Sequence, residues 1–180
     1  MGEAHDVTTA SLQICEPIEM TSTPVLAGFA GLFEQYYETV FRTALRVTGR
    51  PADAEDVLQT VFVRLLSRNE QDEAARRPAA YFRRAAVNAA VDLLRRRAVR
   101  AETAYDDAAP HAAVEPGLLL KEQLRRAIAT LDSEDATLFV LRFVEGLSNQ
   151  ELADSFQLEK NNVAVRLHRI RLRLQAEIER

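Results

Sequence analysis

The sequence has little of what secreted, membrane-spanning or catalytic chains rely on. Its 180 residues include one cysteine, Cys15, so no disulfide can form within the chain. Tryptophan is absent, and glycine and proline number six each. So few turn-forming residues disfavour a fold of many short hairpin-linked strands, and no segment sustains the period-2 alternation of a half-buried strand. No run of about 18 uncharged apolar residues occurs, so no membrane insertion is expected. The first residues carry neither the basic start nor the apolar stretch of a secretory signal, which predicts a cytoplasmic location. His5, His111 and His168 are scattered and no cysteine pair exists, so no metal site is expected. No glycine-rich phosphate loop or nucleophile motif is present, so neither a cofactor nor an enzymatic activity is expected.

Net positive charge is also lacking. With 23 Lys+Arg against 27 Asp+Glu the formal net charge is −4, the wrong sign for a simple basic nucleic-acid binder. The sum hides a segregation. Residues 1–28 carry four acids and no Lys or Arg, and residues 101–120 repeat that balance. Residues 79–100 carry six arginines and one aspartate, and residues 159–180 carry six bases and three acids. A charged surface acts over about one Debye length, roughly 8 Å at physiological salt, so acid elsewhere does not cancel a basic face.

What is there reads as helix. Ala, Leu, Arg and Glu are plentiful, and all are good helix formers. The expected architecture is all-α: two small helical domains joined by a flexible acidic linker. Residues 1–28 mix Thr, Ser, Pro and acids without period and read as a flexible extension. Residues 98–116, with Asp106, Asp107, Pro110 and Pro116, read as the linker. The domains are then 29–97 and 117–180.

The first domain reads as three helices. Phe29, Leu32, Phe33, Tyr36, Val40, Phe41, Ala44 and Leu45 share one helical face, ended by Gly49 and Pro51. Asp53 is placed to cap the next helix, with Glu55 and Asp56 in its first turn. Ala54, Val57, Leu58, Val61, Phe62, Leu65 and Leu66 form its apolar face, opposite Asp53, Asp56, Gln59 and Thr60. After a polar loop at 67–78, Pro78 opens a third helix to about Arg97. Phe82, Ala85, Ala86, Ala89, Ala90, Leu93 and Leu94 form its packing stripe, and Arg84, Asn88, Asp92 and Arg95 share another face.

The second domain reads as four helices: Leu118 to Leu131, one capped by Asp132 or Ser133 and ended by Gly146, a short one from Asn149 to Ser155, and a long one from Lys160. Ser148 and Glu151 have capping-box spacing. A short helix, a tight turn and a long basic helix make a helix-turn-helix. On the last helix Val163, Leu167, Ile170, Leu174 and Ile178 fall on one face, and Asn162, Arg166, Arg169 and Arg173 on another. Asn161, Val165 and His168 point away from the packed side.

These segments resemble a known family. Asp53-Ala-Glu-Asp-Val-Leu-Gln-Thr-Val-Phe62 resembles the core-binding segment of bacterial sigma factors. Tyr81 to Arg97 resembles the segment that meets the minus-10 promoter element. Leu147 to Ala153 and Val163 to Arg169 resemble the helix-turn-helix that reads the minus-35 element. The short length, without other sigma regions, resembles the extracytoplasmic-function group. The resemblance implies that Asp53, Asp56 and Gln59 dock on core RNA polymerase. It implies that Arg83, Arg84, Asn88, Arg95 and Arg96 hold minus-10 DNA, and that the 67–78 loop accepts a flipped base. It further implies that Asn149, Gln150, Lys160, Asn161, Asn162, Val165, Arg166 and Arg169 face promoter DNA at minus 35, where Arg suits guanine and Asn suits adenine. An anti-sigma factor is implied as a further partner.

Each feature also has a plainer reading. The carboxylates at 53–56 suffice as first-turn dipole partners. Arg95, Arg96 and Arg97 suit a solvated helix end, Asn88 a bond to a neighbouring backbone group, and His168 a packing or surface place. As a whole, the chain could instead be a helix-turn-helix regulator with a sensing or dimerisation domain at 29–97, or a helical protein that only sequesters a partner. The basic 79–100 segment favours the sigma reading, since a sensing domain has no need of a second cationic surface.

Overall fold

A computed structural model describes residues 24–67, 74, 76–103 and 116–179. Among them are seven helices and no strand. They are α1 (Pro24–Thr48), α2 (Pro51–Ser67), α3 (Pro78–Thr103), α4 (Pro116–Thr130), α5 (Ser133–Phe143), α6 (Asn149–Phe156) and α7 (Lys160–Ile178). The expected three-plus-four order is present. The loop expected at 67–78 falls mostly outside the described residues, as do most of the 98–116 linker and residues 1–23 of the N-terminal extension. No described helix is long and apolar enough to cross a membrane.

Three boundaries differ from expectation, each for a local reason. The first helix begins at Pro24, a residue well suited to a first turn. The third runs on to Thr103, because no breaker follows Arg97. The second begins at Pro51, and the Ala54 N–H donates to the Arg50 carbonyl at 3.1 Å. Asp53 is thus inside the first turn and is not the cap.

In the first half, α1, α2 and α3 pack around Val40, Ala44, Val57, Val61, Leu65, Phe82, Ala86 and Val87, all buried. The far end holds an aromatic cluster. Phe62 meets Phe33 at 4.8 Å and Phe82 at 5.4 Å between ring centroids, and Tyr36 stacks on Phe82 at 4.7 Å. In the second half, Leu138, Leu141, Leu152, Val163, Leu167 and Ile170 form the core. Val163, Leu167, Ile170 and Leu174 are buried on α7, as its period requires. The halves do not keep separate cores. One continuous cluster of buried apolar residues runs through both, with α3 packed on α4 and α5.

The caps of α5 and α6 follow the sequence. Asp132 is the N-cap of α5, its carboxylate accepting from the Asp135 N–H at 2.8 Å. Ser148 and Glu151 form the complete capping box of α6. Gln157 closes α6 in the left-handed region at φ 55, and both its N–H and that of Leu158 reach the Ala153 carbonyl. Gly49 ends α1 at φ +74, where a side chain is strained. The Arg125 guanidinium also fills the space a methyl group would need there. Gly49→Ala should therefore cost about 1 kcal/mol or more, lowering the melting temperature by roughly 2–4 °C in a thermal scan.

Candidate nucleic-acid interface

The first cationic surface lies on α3. Arg83 and Arg84 are partly buried, and Arg96 is exposed. With Arg76, Arg77 and Tyr81, Arg83 and Arg84 line a cleft of about 700 Å³, closed on its far side by Leu141, Leu147, Asp154, Ser155 and Gln157 of the second half. Arg83 is near enough to act on Glu151. The Ser148 N–H is the main cause holding that carboxyl below its ordinary range, and Arg83 adds to it.

The other expected minus-10 residues face the second half. Asn88 hydrogen-bonds through its carboxamide oxygen to the Thr137 hydroxyl on α5. Arg95 donates to the carbonyls of Ala129 at 3.3 Å and Leu131 at 2.6 Å. These groups lie at the C-terminus of α4, where helical carbonyls lack intrahelical partners and the dipole favours a cation. Arg97 pairs with Asp53, whose side chain is turned inward with the residue only 1% exposed. Of the expected polymerase-docking residues, Asp53 is thus buried, while Asp56 and Gln59 are exposed on α2.

The second surface lies on α7. Asn162, Val165, Arg166, Arg169 and Arg173 line a shallow depression of about 700 Å³ with Asp135 and Leu172. Lys160, Asn161, Asn162, Val165 and Arg169 are exposed. Arg166 is held back. Its Nε donates to Asp135 at 2.5 Å and its Nη2 to Glu134 at 3.0 Å. Burial opposes the Arg166 charge, but those two carboxylates outweigh it and raise its pKa. Asp135 is 7% exposed and also accepts from Arg173 at 3.1 Å. The α5 N-terminus thus anchors α7 and leaves Arg169 as the outward cation between Arg166 and Arg173. On α6, Gln150 is exposed and bonds Asp154 at 3.1 Å, while the Asn149 Oδ1 is buried without a hydrogen-bond partner.

Sequence reasoning missed Asp135, Arg125 and Glu145. Asp135 carried only a first-turn signal; its pairing with α7 depends on how two helices cross. Arg125 donates from α4 to the Val47 carbonyl at 3.0 Å, and no local pattern marks a bond across 78 residues.

Residues 32–100 match the family description Sigma-70 region 2, and residues 121–174 match Sigma-70, region 4. The chain is 31% identical over 157 residues to the RNA polymerase sigma-E factor of Streptomyces coelicolor, spanning 81% of this chain and 85% of that protein. It is 22% identical over 167 residues to the ECF RNA polymerase sigma factor SigW of Bacillus subtilis, spanning 84% and 89%. Among solved structures it is similar to the sigma factor RpoE of Bartonella quintana, crystallised with the anti-sigma factor NepR. That similarity has a TM-score of 0.46 and 16% identity, over 84% of this chain and 96% of that one.

Two outcomes separate the roles of these side chains. Arg169→Ala should weaken binding to all DNA sequences and lower the salt slope by about one, with stability unchanged. Arg166→Ala should also destabilise the fold, because Asp135 loses a buried partner; about 1–3 kcal/mol by denaturant titration is expected. Asp132 gives a pH signature. The Asp135 N–H first, with the Asp135 side chain, Arg166 and Arg173, holds its carboxyl below the ordinary value of 3.8. A depressed folded pKa contributes stability that is fully present above 3.8 and lost as pH falls through the folded value. Asp132→Asn keeps a cap without the charge. The stability gap between wild type and Asp132→Asn should be constant above about pH 5 and close below pH 4.

Proposed function

The chain belongs to the sigma-70 family, in its extracytoplasmic-function group, and from that premise we propose which of its surfaces carry promoter recognition. As a sigma factor it binds core RNA polymerase and directs promoter recognition and transcription initiation. The family is not one of enzymes; we take the chain to have no catalytic activity of its own and to act in the cytoplasm, where the polymerase is.

The assignment divides by half. Asp56 and Gln59, exposed on α2, dock on core polymerase, with Asp53 supporting α2 from beneath through Arg97. Docking of this kind adds partner discrimination and on-rate more than raw affinity. Arg83, Arg84, Asn88, Arg95 and Arg96 on α3 hold the melted minus-10 strand. Lys160, Asn161, Asn162, Val165 and Arg169 enter the major groove at minus 35. Asn149, Gln150 and Arg166 support that contact from α6 and from the flank of α7. The observation that carries this reading is the pair of cationic surfaces on α3 and α7, one in each matched region. A regulator with a sensing domain leaves the region 2 match and the α3 arginines without a purpose. An anti-sigma factor is part of the proposal on family membership, with the exposed faces of both halves as its target.

Run-off transcription with purified core polymerase tests it. Wild type should direct initiation from discrete start sites. Asp56→Arg combined with Gln59→Ala should reduce specific transcript about tenfold or more at fixed protein, with helical content by circular dichroism unchanged. A chain that shifts duplex DNA tightly by itself and never directs core enzyme to a start site would falsify the assignment.

A further inference from the structure

Three cations on α7 form a row. Arg166, Arg169 and Arg173 line one depression, and at 1.5 Å per residue they span about 10 Å of the helix. Phosphates of one duplex strand follow each other about every 3.4 Å along the axis, so a row of this length matches roughly three of them whatever the bases are. Binding to any DNA is the natural property of such a row. Two of its three members are taken out of it. Asp135 of α5 uses both carboxylate oxygens, accepting from the Arg166 Nε at 2.5 Å and the Arg173 Nη1 at 3.1 Å. Glu134 accepts from the Arg166 Nη2 at 3.0 Å. Asp132 stands 3.8 Å from Arg166 and 3.9 Å from Arg173. Arg169 is exposed and meets no carboxylate among the described residues.

We propose that Asp132, Glu134 and Asp135 are specificity-determining residues for promoter DNA. They withhold Arg166 and Arg173 from phosphates, so that α7 binds tightly only where its remaining outward groups find their bases. The inference deepens the minus-35 reading of α7 and rests on it. Discrimination is a ratio of specific to non-specific binding, and it grows when the sequence-blind part is weakened. Two features keep the arginines from swinging out to DNA. Asp135 is 7% exposed, so an arginine that left it for a phosphate would leave a buried carboxylate unpaired, a cost that opposes the exchange. The carboxylates are themselves pinned. They occupy the N-cap and first turn of α5, where the dipole favours them, and Asp132 accepts from the Asp135 N–H. They hold the arginines against the helices and do not follow them outward. Burial of Asp135 also shields its pairs from the salt that weakens an exposed ion pair. Arg169, Asn161 and Asn162 stay exposed.

Full-length variants test the proposal. Asp132→Asn with Glu134→Gln neutralises the two exposed carboxylates and keeps an N-cap at 132; adding Asp135→Asn neutralises all three. The first probe is a mixed-sequence duplex titrated with the full chain over a range of salt. The double variant should bind it several-fold more tightly at low salt, and the triple variant about tenfold. The slope of log affinity against log salt should steepen by about one for each arginine released. A merely structural role moves these readings the other way, since damage to the fold weakens binding to every sequence. Arg166→Gln with Arg173→Gln, added to either variant, should remove most of the gain. The second measurement is run-off transcription with core polymerase. It compares a template carrying the minus-35 segment mapped for wild type with one in which that segment is scrambled. The preference for the first should fall several-fold in the double variant, through more transcript from the scrambled template. Unchanged duplex binding overturns the proposal, as does tighter binding with undiminished template preference. A gain that mostly survives the loss of both arginines overturns it too. So does weaker duplex binding by a double variant whose thermal melt matches wild type. If the triple variant melts below the assay temperature, the double variant, with Asp135 untouched, decides. Correct initiation with none of these shifts overturns the proposal alone. A wild-type chain that core cannot take to a start site counts against the functional reading, while the duplex titration still decides whether the arginines are withheld.

Discussion

Every α-helix ends with carbonyls that its own backbone cannot satisfy, and the rest of this fold depends on how those ends are met. The regular structure of the described residues is seven helices and no strand, so fourteen helix ends must be satisfied. Some ends are closed locally: the Thr48 hydroxyl donates to Ala44, Thr130 to Ala127, and the Leu131 N–H to Ile128. Others are met from across the molecule by Arg95, Arg125 and Arg77. Hydrogen bonds involving a charged partner are worth about 1.5–3 kcal/mol. The arginine-to-carbonyl contacts and the buried Glu145 carboxylate, which accepts from Thr43 and Arg46, therefore make up much of the polar part of the seam.

The same economy shapes the second surface. Carboxylates of Asp132, Glu134 and Asp135 gather at the start of α5, where the helix dipole favours them. They then serve as anchors for Arg166 and Arg173, which fixes the rotation of α7 about its own axis. The effect of this acidic cluster is to commit two cations of α7 to structure, which leaves Arg169 and the exposed asparagines as the groups that α7 offers outward.

Much of this was legible in the sequence. The period of α7 named its four buried residues and the partly buried Ile178, the Ser148–Glu151 box located the start of α6, and the family resemblance on 53–62, 81–97, 147–153 and 163–169 named the family that the comparisons then showed. Net charge misled until it was divided by segment. What was not legible depends on long-range geometry. Nothing near Arg95 distinguishes a solvated helix end from a cap on another helix, because its acceptors lie 34 and 36 residues away. Asp53 was expected as a cap and lies inside the first turn, and its partner Arg97 comes from a helix whose angle only packing sets.

The arginine at position 95 carries a consequence for which substitutions the protein can tolerate. A phosphate can be met by either cation, though the guanidinium fork meets it better, so a phosphate contact would favour arginine there without demanding it. Two carbonyls two residues apart at a helix end need a planar donor that can point at both at once, and lysine offers a single rotating point charge. The shape of this side chain is therefore dictated by the end of α4 that it caps. A drift to lysine would keep the charge of the α3 surface and loosen the contact between the two halves of the chain.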